Sequence, residues 1–479
     1  MTNAAPARLD TDPDPLVEAL ASTLPGGVVV MDSERVEKYR HDRFEDLPAG
    51  HPRAVVRAQT TEQVQVALRW ATEHRIPVVP RGAGTSLSGG ATAVDGCLVL
   101  SLERMTGIQI DPDRRVARAE PGALNISVKE AAAVHELWYP PDPGSFRIST
   151  IGGNIATNAG GLCCVKYGVT ADYVLGLEVV LADGRLLRLG GETMKDVAGL
   201  NLRQLFVGSE GTLGVVTGAV LRLVPRQGDV STLVATFPDL VSAGTAVTRI
   251  GRTIRPAMLE LMDQVAINAV EDFSPRGLDR DAGALLIVQS DAPGRARAEE
   301  IAAVERLCHQ AGCTEVLSTD DADEGLMFVD ARRSSGDAVE ARGTLLAEDI
   351  CVPVDRLPDV LAEIAAIGER HDLEIPVVAH AGDGNLHPGI VYPPGDAAAR
   401  GRAWRAFDDL MALAPAYGGT VTGEHGVGRT KVRSLAAQVG ADVLDVSHAV
   451  KTALDPLGLL NPGALLPSGD RPTTLGDTT

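Results

Sequence analysis

No apolar stretch in this chain of 479 residues approaches the ~20 residues that a membrane-spanning helix requires. The opening residues, Met1 to Asp10, lack an apolar core and soon turn acidic and proline-rich, so a secretory leader is not expected. Basic residues are scarce. Lys and Arg number 44 against 64 Asp and Glu, a net charge of −20. With no basic stripe to neutralise phosphates, a nucleic-acid partner is not expected. The same acidity means that an anionic small molecule must be drawn by a local Arg, Lys or metal rather than by the global field. Cysteine is sparse as well. Cys97, Cys163, Cys164, Cys308, Cys313 and Cys351 contain no C-x-x-C pair, so neither an iron–sulfur cluster nor a structural zinc is expected within the chain. Reduced, mostly buried thiols in a cytoplasmic protein follow from this, and peripheral attachment at the inner membrane face is compatible with it.

The chain is rich in glycine, and the glycines cluster. Pro80-Arg81-Gly82-Ala83-Gly84-Thr85-Ser86-Leu87-Ser88-Gly89-Gly90 follows the strand-like run Ile76 to Val79. Small residues there leave consecutive backbone N–H groups free to converge on one anion. No Lys-Ser/Thr pair closes the loop, so it is not a P-loop. Leu87 stands where the dinucleotide fingerprint would place its third glycine. A second run spans Gly144 to Gly161 and a third Leu205 to Thr217. Three such segments suit a long groove for a ligand with a central diphosphate and a flat ring.

With these motifs the chain resembles the vanillyl-alcohol-oxidase type of FAD-binding protein, and more closely the FAD-linked D-2-hydroxyacid dehydrogenases and glycolate oxidase catalytic subunits. The resemblance runs from about His51 to Pro467. It implies an α+β fold, with a two-part FAD-binding domain and an α+β cap that carries the substrate site. Residues 1–46 read as a lead-in, 47–226 as the FAD-binding domain, 227–466 as the cap with a C-terminal return to the flavin domain, and 467–479 as a disordered tail. The flavin groove is expected to draw Pro80, Arg81, Gly82, Ala83, Gly84, Thr85 and Ser86 from the first segment. Gly144, Ser149, Gly152, Gly153, Asn158, Gly160 and Gly161 come from the second, and Glu210, Gly211, Gly214 and Val216 from the third. Asn461 belongs to a C-terminal family motif, Asp455 to Gly463, that folds back toward the flavin domain. Thr85 stands where relatives with a tethered flavin often carry histidine. Cys163-Cys164 lie near the position of the other known tether. Non-covalent FAD is the expectation.

Local patterning places a helix from about Asp14 to Leu24, a strand at Ala54–Val56 and a helix from Thr61 to Glu73 capped by Thr60 or Thr61. A hairpin turns at Asp183-Gly184. Helices are expected over Asp239–Gly251, Leu259–Ala269, Arg295–Gln310 and Leu357–Glu369, and strands over Ala284–Gln289 and Pro376–His380.

The chemistry gathers late in the chain. In His380-Ala381-Gly382-Asp383-Gly384-Asn385-Leu386-His387 the central turn should reverse the chain and bring both histidines to one rim. Glu424-His425 follows in a second glycine-flanked stretch. Two imidazoles and a carboxylate can hold a Zn²⁺-like ion and leave positions open. Two histidines packed beside a turn would look the same. The resemblance assigns His380, His387 and Glu424 as ligands of a divalent metal, with zinc the expectation. His425 is the candidate base, because a neutral imidazole suits removal of a hydroxyl proton near pH 7. A substrate carboxylate wants a guanidinium. The resemblance points to Arg332, shortly before the family-like motif Glu348-Asp349-Ile350-Cys351-Val352-Pro353, with its neighbour Arg333 as the alternative. The implied reaction is oxidation of a small D-2-hydroxy acid, of the glycolate or D-lactate type, by hydride transfer to flavin. Electrons would then pass to oxygen, a quinone, an electron-transfer flavoprotein, a cytochrome or a separate iron–sulfur subunit. Two other readings share the architecture: an alkylglycerone-phosphate synthase-like enzyme, and a non-catalytic FAD-binding subunit of a redox complex.

Overall fold

A computed structural model describes residues 14–467; the expected tail from 468 onward and the first thirteen residues lie outside them. The described residues form an α+β molecule with a four-stranded and a five-stranded N-terminal sheet, a two-stranded ribbon of Leu137–Trp138 and Val224–Pro225, and one large C-terminal sheet.

The first sheet has four strands. Three of them, Ala54–Arg57, Leu98–Ser101 and Val78–Arg81, run parallel, with Val78–Arg81 at the edge. The helix Thr61–His74 provides a crossover between the first of these strands and Val78–Arg81. Thr60 caps it by accepting from the Gln63 N–H, and its buried stripe is Val64, Ala67, Leu68, Trp70 and Ala71. The second sheet has five antiparallel strands. Two of them, Val174–Val180 and Leu186–Gly190, form the expected hairpin, in which Gly184 takes φ +81.

The cap is an eight-stranded antiparallel sheet backed by helices, and its apolar side chains make up the largest core. Leu240–Gly251, Arg295–Gln310 and Leu357–His371 are helical as expected. One expectation fails. Residues Met258–Asp263 form a strand, and the helix begins only at Gln264, with Asp263 as its cap. All six strand residues are buried, so the run shows no alternation, and Leu, Met and Glu are good helix formers. The strand sits inside the sheet, paired on both sides.

The segment before the first parallel strand is no loose appendage. The Tyr39 hydroxyl donates to Glu103 on the N-terminal side at 2.7 Å. Phe44 and Leu47 then enter the core of the cap, and Asp46 accepts from Tyr392, Arg400 and Trp404. Among the described residues no helix is long and apolar enough to cross a membrane.

Candidate active site

A cavity of about 560 Å³ runs between the N-terminal sheets and the cap. The first glycine segment forms one wall. Among the described residues, the backbone N–H groups of Gly82 through Leu87 donate to no acceptor within the chain. They remain available for an anion, as the loop chemistry requires. A Cβ on Gly82 would collide with Thr150 Oγ1, so the close approach of the first and second segments depends on that glycine.

Pro80, Arg81, Gly82, Ala83, Gly84, Thr85 and Ser86 line the cavity, as do Gly144, Gly152, Gly153, Glu210, Gly211, Gly214 and Val216. Ser149, Asn158, Gly160, Gly161 and Asn461 are not on its wall. They support it. Asn158 ends the helix Ile151–Thr157 in a left-handed conformation and accepts from the Ala171 N–H. Asn461 donates to the Gly90 and Glu210 carbonyls. A Cβ on Gly160 would lie 2.9 Å from Glu424 Oε2. Glu210 also ties the N-terminal side to the cap. Its buried carboxylate accepts from the Val427 and Gly428 N–H groups, each at 2.8 Å. Burial raises it to about 7.

The opposite wall is built by two cap strands, Val377–His380 and Asn385–Tyr392. The turn between them sets His380 opposite Asn385 and Val378 opposite His387. Gly384 supplies the left-handed residue, φ +83. His380 and His387 therefore project from one face, with ring centroids 5.0 Å apart. Glu424 Oε1 lies 3.2 Å from His380 Nε2 and 3.3 Å from His387 Nε2. One donor atom from each of the three falls within 4.8 Å of the others. Glu424 Oε2 is buried without a partner. A buried carboxylate oxygen and two imidazole nitrogens left facing one point suit a divalent cation. Electrostatics agree with this crowding. Burial opposes charge on His380, but the Glu260 and Glu424 carboxylates raise its pKa well above the imidazole range. Burial likewise opposes ionisation of Glu424, and His380 and His387 overcome it, holding the carboxyl well below its usual range.

His425 stacks on His387, 4.9 Å between centroids and 17° between planes. Its Nδ1 is buried with no partner, and burial lowers the imidazole to about 4. Asp349 fixes the loop that carries it. One oxygen accepts from the Thr422 hydroxyl and from the N–H groups of Gly423, Glu424 and His425 at 2.6–3.0 Å. Arg332 is buried on the cavity wall; its Nε forms an ion pair with Glu260 at 2.9 Å without hydrogen-bond alignment, Nη1 donates to the Ser335 hydroxyl at 3.4 Å, and Nη2 has no partner. Arg333 lines the same cavity: it donates to Asp142 at 2.6 Å and lies over the Phe146 ring, and its Nη1 is likewise buried without a partner.

Sequence reasoning missed Glu260 and Asp349 as site residues. Asp349 stands inside the motif Glu348 to Pro353, and an acid ahead of an apolar strand was its only signal. Glu260 had only the signal of an acid inside the apolar run Met258–Asp263.

Two family models match the chain: "FAD binding domain" over residues 52–190 and "FAD linked oxidases, C-terminal domain" over residues 226–465. Glycolate oxidase subunit GlcD of Bacillus subtilis (strain 168) is 40% identical over 417 residues, 86% of this chain and 89% of that protein. D-lactate dehydrogenase of Archaeoglobus fulgidus is 36% identical over 440 residues, 90% of this chain and 96% of that one. Among solved structures, p-cresol methylhydroxylase with substrate bound aligns with a TM-score of 0.77 at 18% identity, covering 94% of this chain and 96% of its own. That likeness shows a shared fold.

Proposed function

The chain belongs to the FAD-linked oxidases and, within them, to the FAD-dependent 2-hydroxyacid dehydrogenases; from that premise we propose that it oxidises a small D-2-hydroxy acid, of the glycolate or D-lactate type, to the 2-oxo acid. The observation that carries the reading is the convergence of His380, His387, Glu424, His425 and Arg332 on one cavity whose other wall is the free-N–H glycine loop. A scaffold subunit has no use for that convergence.

The residues present fit both groups the family implies. The Gly82–Leu87 loop would hold the FAD diphosphate without a covalent tether: Thr85 cannot form the bond a histidine there would, and neither Cys163 nor Cys164 is on the cavity wall. His380, His387 and Glu424 would hold a divalent ion such as zinc. When bound, the flavin supplies a two-electron acceptor and the ion a Lewis acid. The chain's own residues do the rest. Arg332 binds the substrate carboxylate through its unpartnered NH2 edge. His425, neutral at pH 7 because burial disfavours its charged form, accepts the substrate hydroxyl proton. Val378, Ala347, Leu345 and Gly389 lie on the cavity wall on the His387 side of the cap sheet. Their apolar surface supports a hydrogen or methyl side chain, as in glycolate or D-lactate, over a second carboxylate.

An anaerobic titration tests this. Holoenzyme is mixed with glycolate, D-lactate, L-lactate and D-2-hydroxyglutarate, and flavin absorbance is followed. Bleaching by D-lactate or glycolate, with L-lactate inert, is expected. A flavin that neither D-lactate nor glycolate reduces would overturn the reading.

A further inference from the structure

Glu260 is an acid in the middle of a fully buried strand, with 0% of its surface exposed. The strand register explains its position. Leu261 pairs with Ala379 and Met262 with Val378, so the next pair along that antiparallel ladder is Glu260 with His380. Side chains directly opposite on one face meet. His380 Nδ1 lies 2.9 Å from each Glu260 oxygen. Oε2 also lies 2.9 Å from Arg332 Nε. One dehydrated carboxylate thus has two partners, and both belong to the site. A buried charge needs such compensation, and removing one member leaves the others uncompensated.

Each contact has a consequence. Because the Glu260 carboxylate can only accept, Nδ1 of His380 is the nitrogen that donates to it, and Nε2, 3.2 Å from Glu424, is the one a divalent ion would take in place of a proton. A carboxylate behind a ligating imidazole fixes its tautomer and ring orientation and raises its basicity. By pairing its charge with the Arg332 guanidinium beside Nε, the same carboxylate leaves Nη2, buried and unpartnered, for another carboxylate.

We propose that Glu260 is a positioning residue shared by two binding events: it presents His380 to the divalent ion and Arg332 to the substrate carboxylate. Both affinities therefore depend on one side chain that touches neither ligand. The substrate half rests on the hydroxy-acid reading above; the metal half stands on this chain's residues alone.

The test is Glu260→Gln in flavin-loaded enzyme stripped of metal. Glutamine keeps the volume but loses the charge, and it puts an amide N–H₂ where one acceptor stood. Zn²⁺ affinity, read by competition with a chromophoric chelator, should weaken ~10–100-fold. At saturating Zn²⁺ the KM for D-lactate should rise at least about tenfold, as expected for loss of a charge-assisted contact, while kcat changes far less. In an Arg332→Met background the added Glu260→Gln change should leave KM where Arg332→Met alone put it, because the substrate effect acts through that arginine. Flavin stoichiometry reports folding. Should Glu260→Gln fail to bind FAD, Glu260→Asp replaces it: the charge stays, the reach shortens, and both defects should appear in milder form. Zn²⁺ binding within twofold of wild type in the flavin-loaded variant overturns the metal half. An unchanged KM overturns the shared role. If wild-type flavin is reduced by no hydroxy acid, the functional reading fails, yet the Zn²⁺ measurement still decides the metal half.

Discussion

Burial decides what His425 can do. The imidazole is dehydrated, and its pKa falls to about 4. A general base works deprotonated, so its activity is retained above that value and lost as pH falls through it. The pH profile of kcat/KM for flavin reduction should stay level from pH 8 down to about 5 on this limb. A half-loss near 6.5, the value of a solvated histidine, would mean that His425 is hydrated or is not the base. Gly160 makes a second residue-scale prediction. Its missing side chain gives Glu424 Oε2 its place, at 2.9 Å from where a Cβ would be. Gly160→Ala should weaken Zn²⁺ binding by roughly tenfold, as loss of ligand positioning does, and leave FAD content unchanged, because Gly160 is not on the cavity wall. Equilibrium dialysis against Zn²⁺ checks it. The histidines, Glu424 and Arg332 were legible because polar side chains in glycine-flanked turns or beside a family motif stand out. Glu260 was not, because an acid inside an apolar run is what an exposed position on a helix face looks like.

That ambiguity produced the one misread element, Met258–Asp263. A strand buried on both faces has no period, and its lone Glu favoured the helical reading. The local rule broke where the site needed a buried carboxylate, which is where such failures are expected. Elements with clear punctuation were read correctly, such as the Thr60-capped helix and the Asp183-Gly184 hairpin. The loop 422–428 shows how one side chain can hold an element. Asp349 accepts from four donors of that loop, and His425 and Lys431 help hold the acid well below its ordinary range despite burial. Asp349→Ala should cost about 3–5 kcal/mol, since it takes the shared acceptor from four donors of the loop. Hydrogen exchange should accelerate across 422–428 and much less in the glycine loop at 82–87. Equal exchange in variant and wild type would show that the loop is held by other means.

At the scale of the molecule, the cavity exists only while the cap stays docked. Glu210 reaches from the N-terminal side to the Val427 and Gly428 amides, and the segment 39–47 braces the two halves. No periodic pattern marks that segment, because its work is done by single long-range contacts. Arg43 pairs with Asp337 and Glu340 of the cap at 2.7 Å, and Phe44 packs edge-on to Trp404. Phe44→Ala should cost about 3–4 kcal/mol. FAD should dissociate more readily, seen as flavin fluorescence released at lower temperature than in wild type. Coincident release would assign cap docking to other contacts.

The proposed chemistry depends on one histidine acting in a cavity shared with flavin. Anaerobic stopped-flow reduction of FAD- and Zn²⁺-loaded wild type and His425→Ala by D-lactate, or by glycolate if that is the better reductant, measures this directly. The variant should retain its flavin and reduce it ~10²–10⁴ times more slowly; reduction at the wild-type rate would contradict that role for His425.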